Sequence, residues 1–382
     1  MPSGDLVGSP LSSLFAEAEQ QLAVCNSCRY CEGYCPVWPA LERVSVMSEG
    51  DVTHLANLCH DCRDCFTACM YTAPHEFALN PPKVFAQVRE ETYRRYVWPV
   101  EASAPRWLRG RRGVLAAFVA VAALLVMLSL LVEGGGAFTG SGVGARSPYV
   151  LLPYLLLLGL VTAPTLWAVG VLAVALTRYW RDTHGSVPGR ARDLLDLRVW
   201  RTTVVQGAQL RHMKGGGEQC TYPGSEPAPH RRRLHLAVSY GFALCVVSTS
   251  SAAVMQDLLG LDPPYGLLSV PVLTGTAGGL AMVAGCAGLL VLKGRSDPAL
   301  GTESMRRADL GLLWALLVLA VTGLLTLALR SGPLFAPVLV VHLAAVIVAF
   351  AITPYTKFTH WLYRVLAIYK DNLDQKNLSS AT

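Results

Sequence analysis

The chain has 382 residues, 52% of them hydrophobic and only 15% charged. Soluble domains carry about 25% charged residues, so this balance, with a mean hydropathy of +0.39, speaks for a membrane protein embedded in a lipid bilayer. The net charge of +6 does not speak for nucleic acid as a partner, because the basic residues sit at the ends of apolar runs and not on a soluble basic face.

In chain order, the first twenty residues show no basic stretch leading into an apolar core. No cleavable secretory signal is expected, and the N-terminal region is expected to stay in the cytoplasm. Residues 1–105 are polar and hold eight of the eleven cysteines, all between Cys25 and Cys69. In a reducing compartment such a set reads as metal ligation and not as a disulfide framework.

Cys25-x2-Cys28-x2-Cys31-x3-Cys35-Pro36 is followed by Cys59-x2-Cys62-x2-Cys65-x3-Cys69. Both runs have the spacing of two-cluster ferredoxins, in which the fourth cysteine of each run ligates the other cluster. Three closely spaced thiolates wrap three corners of a cubane, and the longer gap frees the fourth to cross over. Cys25, Cys28, Cys31 and Cys69 are therefore expected to hold one [4Fe-4S] cluster, and Cys59, Cys62, Cys65 and Cys35 the other. The second run lacks the terminal proline, since Met70 follows Cys69. Zinc is the competing reading, but structural zinc sites set two C-x2-C pairs apart and do not crowd four cysteines into eleven residues.

Beyond residue 105 come six apolar stretches, at about 113–132, 149–177, 234–256, 267–292, 308–329 and 335–356, each near the ~20 residues a spanning helix needs. Pro153 and Pro164 are expected to kink or shorten the second. Positive charge alternates by side. Arg106, Arg109, Arg111 and Arg112 precede the first span, and ten arginines and Lys214 lie in 178–233. Lys293, Arg295, Arg306 and Arg307 separate spans four and five, and Lys357, Arg364 and Lys370 follow the last. The opposite loops carry only Arg146 and Arg330. Both termini and the cysteine domain are thus expected on the cytoplasmic side of the inner membrane. The glycine stretch Gly134–Gly144 lacks the context of a phosphate loop and reads as a flexible connection. Gly275, Gly278, Gly279, Gly285 and Gly288 are expected to let helices approach closely.

An iron–sulfur domain fused to membrane helices needs an electron exit, and haem b between two histidines is a common one. His235 opens the third span directly after Arg231-Arg232-Arg233, and His360 lies just beyond the sixth, at similar depth. They form the expected axial pair. His342 lies inside the sixth span, about 27 Å from His360 if the helix were regular. An intramembrane histidine is functional by default, so quinone contact, axial ligation with another partner and a structural hydrogen bond all stay open. Of the remaining cysteines, Cys245 and Cys286 read as small buried hydrophobes and Cys220 as a loop residue without a role.

Three segments carry a resemblance: CHDCRDCFTACMYTAPHEFALNPP (59–82), RRRLHLAVSYGFALCVVSTS (231–250) and PYTKFTHWLYR (354–364). They resemble the tricarballylate/citrate utilisation protein B family over nearly the whole chain. The last helix is also similar to the final haem-binding helix of respiratory nitrate reductase gamma subunits, a likeness that implies axial roles for His342 and His360. The family resemblance implies that the chain reoxidises the FAD of a partner tricarballylate dehydrogenase and passes the electrons to membrane quinone. One departure is that family members carry two adjacent histidines where this chain has His235-Leu236, which weakens a two-haem arrangement.

The expected protein is all-α: an α-helical ferredoxin-like two-cluster domain (1–105), then a six-helix transmembrane bundle (106–382) with a cytoplasmic loop at 178–233. It has no substrate chemistry of its own. The competing functions are the same wiring from another flavin dehydrogenase, a transporter with a regulatory cluster domain, and a membrane-anchored redox sensor. The spans show no clear inverted repeat and few internal charges, and no signalling module is visible.

Overall fold

A computed structural model describes residues 10–99, 110–134, 136–139, 146–184, 191–215 and 220–380. The boundary expected near residue 105, with Arg106, Arg109 and Arg190, lies outside these residues, as do the first nine residues and Gly140–Gly144. The described residues form fourteen α-helices joined by turns and short 3-10 segments, with no strand among them.

Five helices carry the cysteine region: α1 (Pro10–Cys28), α2 (Val37–Glu42), α3 (Glu49–Leu58), α4 (Asp64–Thr67) and α5 (Pro81–Tyr96). Local chemistry sets their ends. Ser48 caps α3 in a reciprocal box with Asp51, satisfying two backbone donors at once. Asn80 caps α5 ahead of Pro81 and Pro82, which cost no hydrogen bond in a first turn, and Arg94 and Arg95 complement the dipole in the last.

The remaining helices are α6 (Arg111–Glu133), the short α7 (Gly136–Thr139), α8 (Tyr154–Asp182), α9 (Leu197–Ala208), α10 (His230–Asp257), α11 (Val270–Arg295), α12 (Glu303–Ala328), α13 (Phe335–Ile352) and α14 (His360–Ser379). Six of them, α6, α8, α10, α11, α12 and α13, are long and apolar enough to cross a membrane. Pro153 shortens the second span by standing as its N-cap, while Pro164 is accommodated inside it. Helices α10 and α11 pack backbone to backbone. A Cβ on Gly278 would lie 2.6 Å from the Gly241 carbonyl, and one on Gly285 would lie 2.8 Å from that of Leu234. Only glycine permits that approach.

After α13 the chain does not continue as a regular helix. Thr353–Tyr355 and Lys357–Thr359 form two 3-10 turns around Pro354, and α14 then starts afresh at His360. The straight-helix separation of His342 and His360 therefore does not apply. Helix α14 turns back into the cysteine region, where Ala367 and Ile368 share one core with Leu22, Leu55, Leu58 and Val88. Tyr96, Tyr179 and Tyr363 bury together where α5, α8 and α14 meet, and Tyr93 stacks on Tyr363 at 4.2 Å. Gly50 of α3 abuts the Asp182 carbonyl at the end of α8, with no room for a Cβ. These contacts seat the cysteine region on one end of the helix bundle.

Candidate iron–sulfur and histidine site

The two cysteine runs fold alike. Cys25 and Cys28 occupy the last turn of α1, and Cys59 caps the end of α3. In each run the residue after the second cysteine is left-handed: Arg29 at φ 56° and Arg63 at φ 71°. Non-glycine residues enter that region at a cost of roughly 1 kcal/mol or more and collect at functional sites. Here the reversal turns the backbone so that the third cysteine, Cys31 or Cys65, faces back toward the first two. Asp61, at φ 55°, adds a further reversal to the second run. Backbone amides point at two of the sulfurs, Asp61 N–H to Cys59 Sγ at 3.5 Å and Tyr71 N–H to Cys69 Sγ at 3.3 Å.

Electrostatics show which thiols are neighbours. Burial pushes the Cys25 thiol up to about 12, and Cys69, Cys31 and Cys28 add to the shift. Burial also raises Cys31 to about 12, with Cys69 and Cys28 as its charged neighbours. Burial raises Cys65 well above the ordinary thiol range, and Cys62, Cys35, Cys59 and Cys31 follow as causes. Cys35 is raised by burial and then by Cys59. Cys69 thus lies near the first run and Cys35 near Cys59 of the second, with Cys31 close to Cys35 and Cys65 as well. Buried thiolates that repel one another ionise only around a cationic centre, so the donor chemistry fits a metal cluster. Among the described residues no three His, Cys, Asp or Glu side chains are grouped to hold a single ion.

The runs differ in cover. Cys28 is exposed, whereas Cys59 and Cys62 are buried. The cover comes from the segment before α10. Cys220 Sγ–H donates to the Cys62 carbonyl at 3.1 Å, and Thr221 Oγ1 donates to the same oxygen at 3.2 Å. The Thr221 amide donates to Asp64 Oδ1 at 2.9 Å. Arg231 donates to the carbonyls of Asp61 and His60, at 2.5 and 3.1 Å. The guanidinium groups of Arg63 and Arg231 each lie 4.6 Å from the centre of the Tyr222 ring. Sequence reasoning missed this clamp. In the sequence Cys220 reads as a loop residue without a role, and the arginine run reads as an orienting charge. A lone cysteine inside a basic loop was the available signal.

Arg231 is one turn from His235 on α10, and there the structure brings two of the three candidate histidines together. The rings of His235 and His360 are 6.3 Å apart, centre to centre, with planes at 78°. A metal held between two imidazoles by bonds of about 2 Å would set the ring centres roughly 6 Å apart. His360 Nδ1 lies 2.6 Å from the Lys357 carbonyl. A carbonyl only accepts, so Nδ1 carries the proton and Nε2 keeps its lone pair. Burial, with Arg364 next, lowers the His360 pKa well below 6.5, which keeps the ring a neutral ligand. His235 Nδ1 is 3.2 Å from Ser239 Oγ.

His342 is not part of this pair. Its Nδ1 lies 2.9 Å from Thr322 Oγ1, and its ring packs against Gly323, where a Cβ would come within 3.1 Å of Cε1. The Thr322 hydroxyl donates to the Val318 carbonyl at 2.7 Å, so its oxygen accepts from His342 and the Nε2 lone pair is left over.

Six apolar helices and a paired-cysteine domain seated on one end of them define a multi-pass membrane protein with an iron–sulfur electron-transfer role. Residues 18–95 match the citrate utilization protein B Fer4-like domain, and residues 108–381 match the citrate utilization protein B family. The chain is 34% identical over 362 residues to citrate utilization protein B of Escherichia coli, covering 94% of this chain and 93% of that protein. The chain belongs to the citrate utilization protein B family. No solved structure matches it.

Proposed function

We propose that this chain takes electrons from a reduced FAD-dependent dehydrogenase and delivers them to membrane quinone, using two [4Fe-4S] clusters and one haem b. The observation that carries this reading is the junction at Arg231. The side chain that holds the Cys59–Cys62 turn stands one helical turn from a histidine pair at metal-bridging distance.

When bound, the clusters and haem supply one-electron carriage between a flavin that gives two electrons and a quinone that takes two electrons and two protons. Cys25, Cys28, Cys31 and Cys69 would hold the outer cluster, and Cys35, Cys59, Cys62 and Cys65 the inner one. The crossing of Cys35 and Cys69 would tie the two runs to one another. Exposure at Cys28 favours the outer quartet as the entry point, and the cover over Cys62 excludes water from the inner one. His235 and His360 would hold the haem. The clustering of Lys and Arg on one set of loops supports a cytoplasmic cluster domain. The name of the E. coli relative supports a donor that works on a tricarboxylate, with tricarballylate dehydrogenase as the first candidate.

The test is an anaerobic absorbance spectrum before and after dithionite, with iron and sulfide analysis of the purified protein. Beyond haem iron, about eight irons and eight sulfides are expected for two cubanes. A reduced b-type α-band should disappear in His235→Ala or His360→Ala. Reduced tricarballylate dehydrogenase should then drive reduction of a soluble quinone only when the chain is present. Zinc in place of iron, or flavin oxidation indifferent to the chain, would sink the reading.

A further inference from the structure

Each histidine of the pair has an arginine one helical turn toward the cluster domain. Arg231 precedes His235 by four residues on α10, and Arg364 follows His360 by four on α14. Residues so spaced share a helix face, about 6 Å apart along the axis.

The cations around the pair differ in what they hold. Arg231 is committed to the His60 and Asp61 carbonyls and lies 4.0 Å from the Asp61 carboxylate. Arg89 donates to the carbonyls of Ala56 and Cys59. Lys357 is paired with Asp309. Arg364 has no such partner. Its Nε is buried without a hydrogen bond, and no carboxylate among the described residues pairs with it. Its neighbours include Arg89 and Arg231, which repel it, and Tyr93 and Cys59, which attract it only when ionised. A half-buried guanidinium with a buried, unpaired Nε beside other cations gains from an anion that joins it. The site therefore asks for a negative group next to His360, on the side facing the cluster domain.

We propose that Arg364 binds a carboxylate of the cofactor held by His235 and His360, namely a haem propionate. This rests on the haem reading above. Arg364 would then hold the acidic end of that group on the side of the cysteine region. Arg231, held by the cluster loop, adds positive charge to the same end without leaving its partners.

The experiment compares haem with haem dimethyl ester, which keeps the iron and ring but has no free carboxylates. Full-length protein made without haem is loaded with each, and dissociation is followed by transfer to an apo-globin. Wild-type protein should release the ester about tenfold faster, the loss of one charge-assisted hydrogen bond of about 1.4 kcal/mol or more. Arg364→Gln should release both at similar, fast rates, whereas Arg364→Lys should keep most of the discrimination. Cluster iron and sulfide content, unchanged across the variants, shows that the fold survives. Equal release of both ligands by wild type overturns the proposal, and so does unchanged discrimination in Arg364→Gln. If wild type takes up neither ligand, the haem reading itself fails, a result distinct from either. The comparison in wild type needs no variant, so a misfolding Arg364→Gln does not shelter the idea.

Discussion

The two cysteine runs have the same spacing and the same left-handed residue after the second cysteine, yet they sit in different surroundings. Around the first, Cys28 is exposed, and Tyr30, Met70 and Phe77 are 60%, 66% and 49% exposed. Around the second, Cys59 and Cys62 are buried, and Cys62 lies under Cys220, Tyr222 and Leu292. A repeated motif has thus been split into a solvent-facing half and an enclosed half by what packs on it. Solvent exposure and hydrogen bonds to sulfur tune cluster potentials, so the same ligand pattern can serve an entrance and an exit.

The comparison breaks most sharply at the enclosed run. Cys62→Ser should remove about half of the cluster iron, since one cubane of two is lost. It should also lower the melting temperature, because the Cys220–Arg231 cover packs on that turn. Iron analysis and a thermal melt check both effects, and an unchanged melt would deny the cover a structural role. Cys28→Ser should remove the same share of iron while leaving the melt and the haem spectrum almost unaltered. For the same reason, a chelator with an oxidant should strip iron from the outer quartet first. Absorbance bleaching should show two phases in wild type and only the slow one in Cys28→Ser, and loss in one phase in wild type would contradict the difference in cover.

His360→Ala should abolish the b-type band and leave cluster iron intact, and His342→Ala should leave that band in place. Equal loss in both variants would show that the lone histidine is also a ligand.

A smaller effect comes from His54, buried in α3 with neither ring nitrogen hydrogen-bonded. Burial, then Lys370, Arg43 and His184, lower its pKa well below 6.5. The unfolded chain takes up a proton near pH 6.5 while the folded chain does not. Stability is therefore fully present above about 6.5 and declines as the pH falls below it. Melting temperatures between pH 7.5 and 5 should fall in wild type and fall less steeply in His54→Leu, where the lowered His60 and His360 still contribute. The smallest effect is Ser48→Ala, where loss of the α3 cap should cost about 1 kcal/mol in a denaturant titration.

Much of the site was legible because ligation by cysteine is local. Two x2-x2-x3 spacings name eight thiols, and their crossing follows from how many sulfurs a short turn can present to one cubane. The pairing of His235 with His360 was reached only through matching depth at the ends of two spans. The sequence shows Arg364 only as an orienting charge, because nothing in a one-dimensional pattern tells a solvated arginine from one with a buried, unpaired Nε. The same holds for Cys220 and Arg231, whose roles depend on a loop folding back over the second run.

Composition and spacing by themselves determined six spans, their basic side and a domain built on two cysteine quartets. Those features arise from apolar runs and short loops, where neighbours in sequence are neighbours in space. Only the tertiary structure decided that α14 breaks from α13 at Pro354, returns to the core beside Leu22 and Leu55, and brings His360 to His235. An amphipathic helix has a face to bury, but which surface receives it depends on packing between segments far apart in the chain.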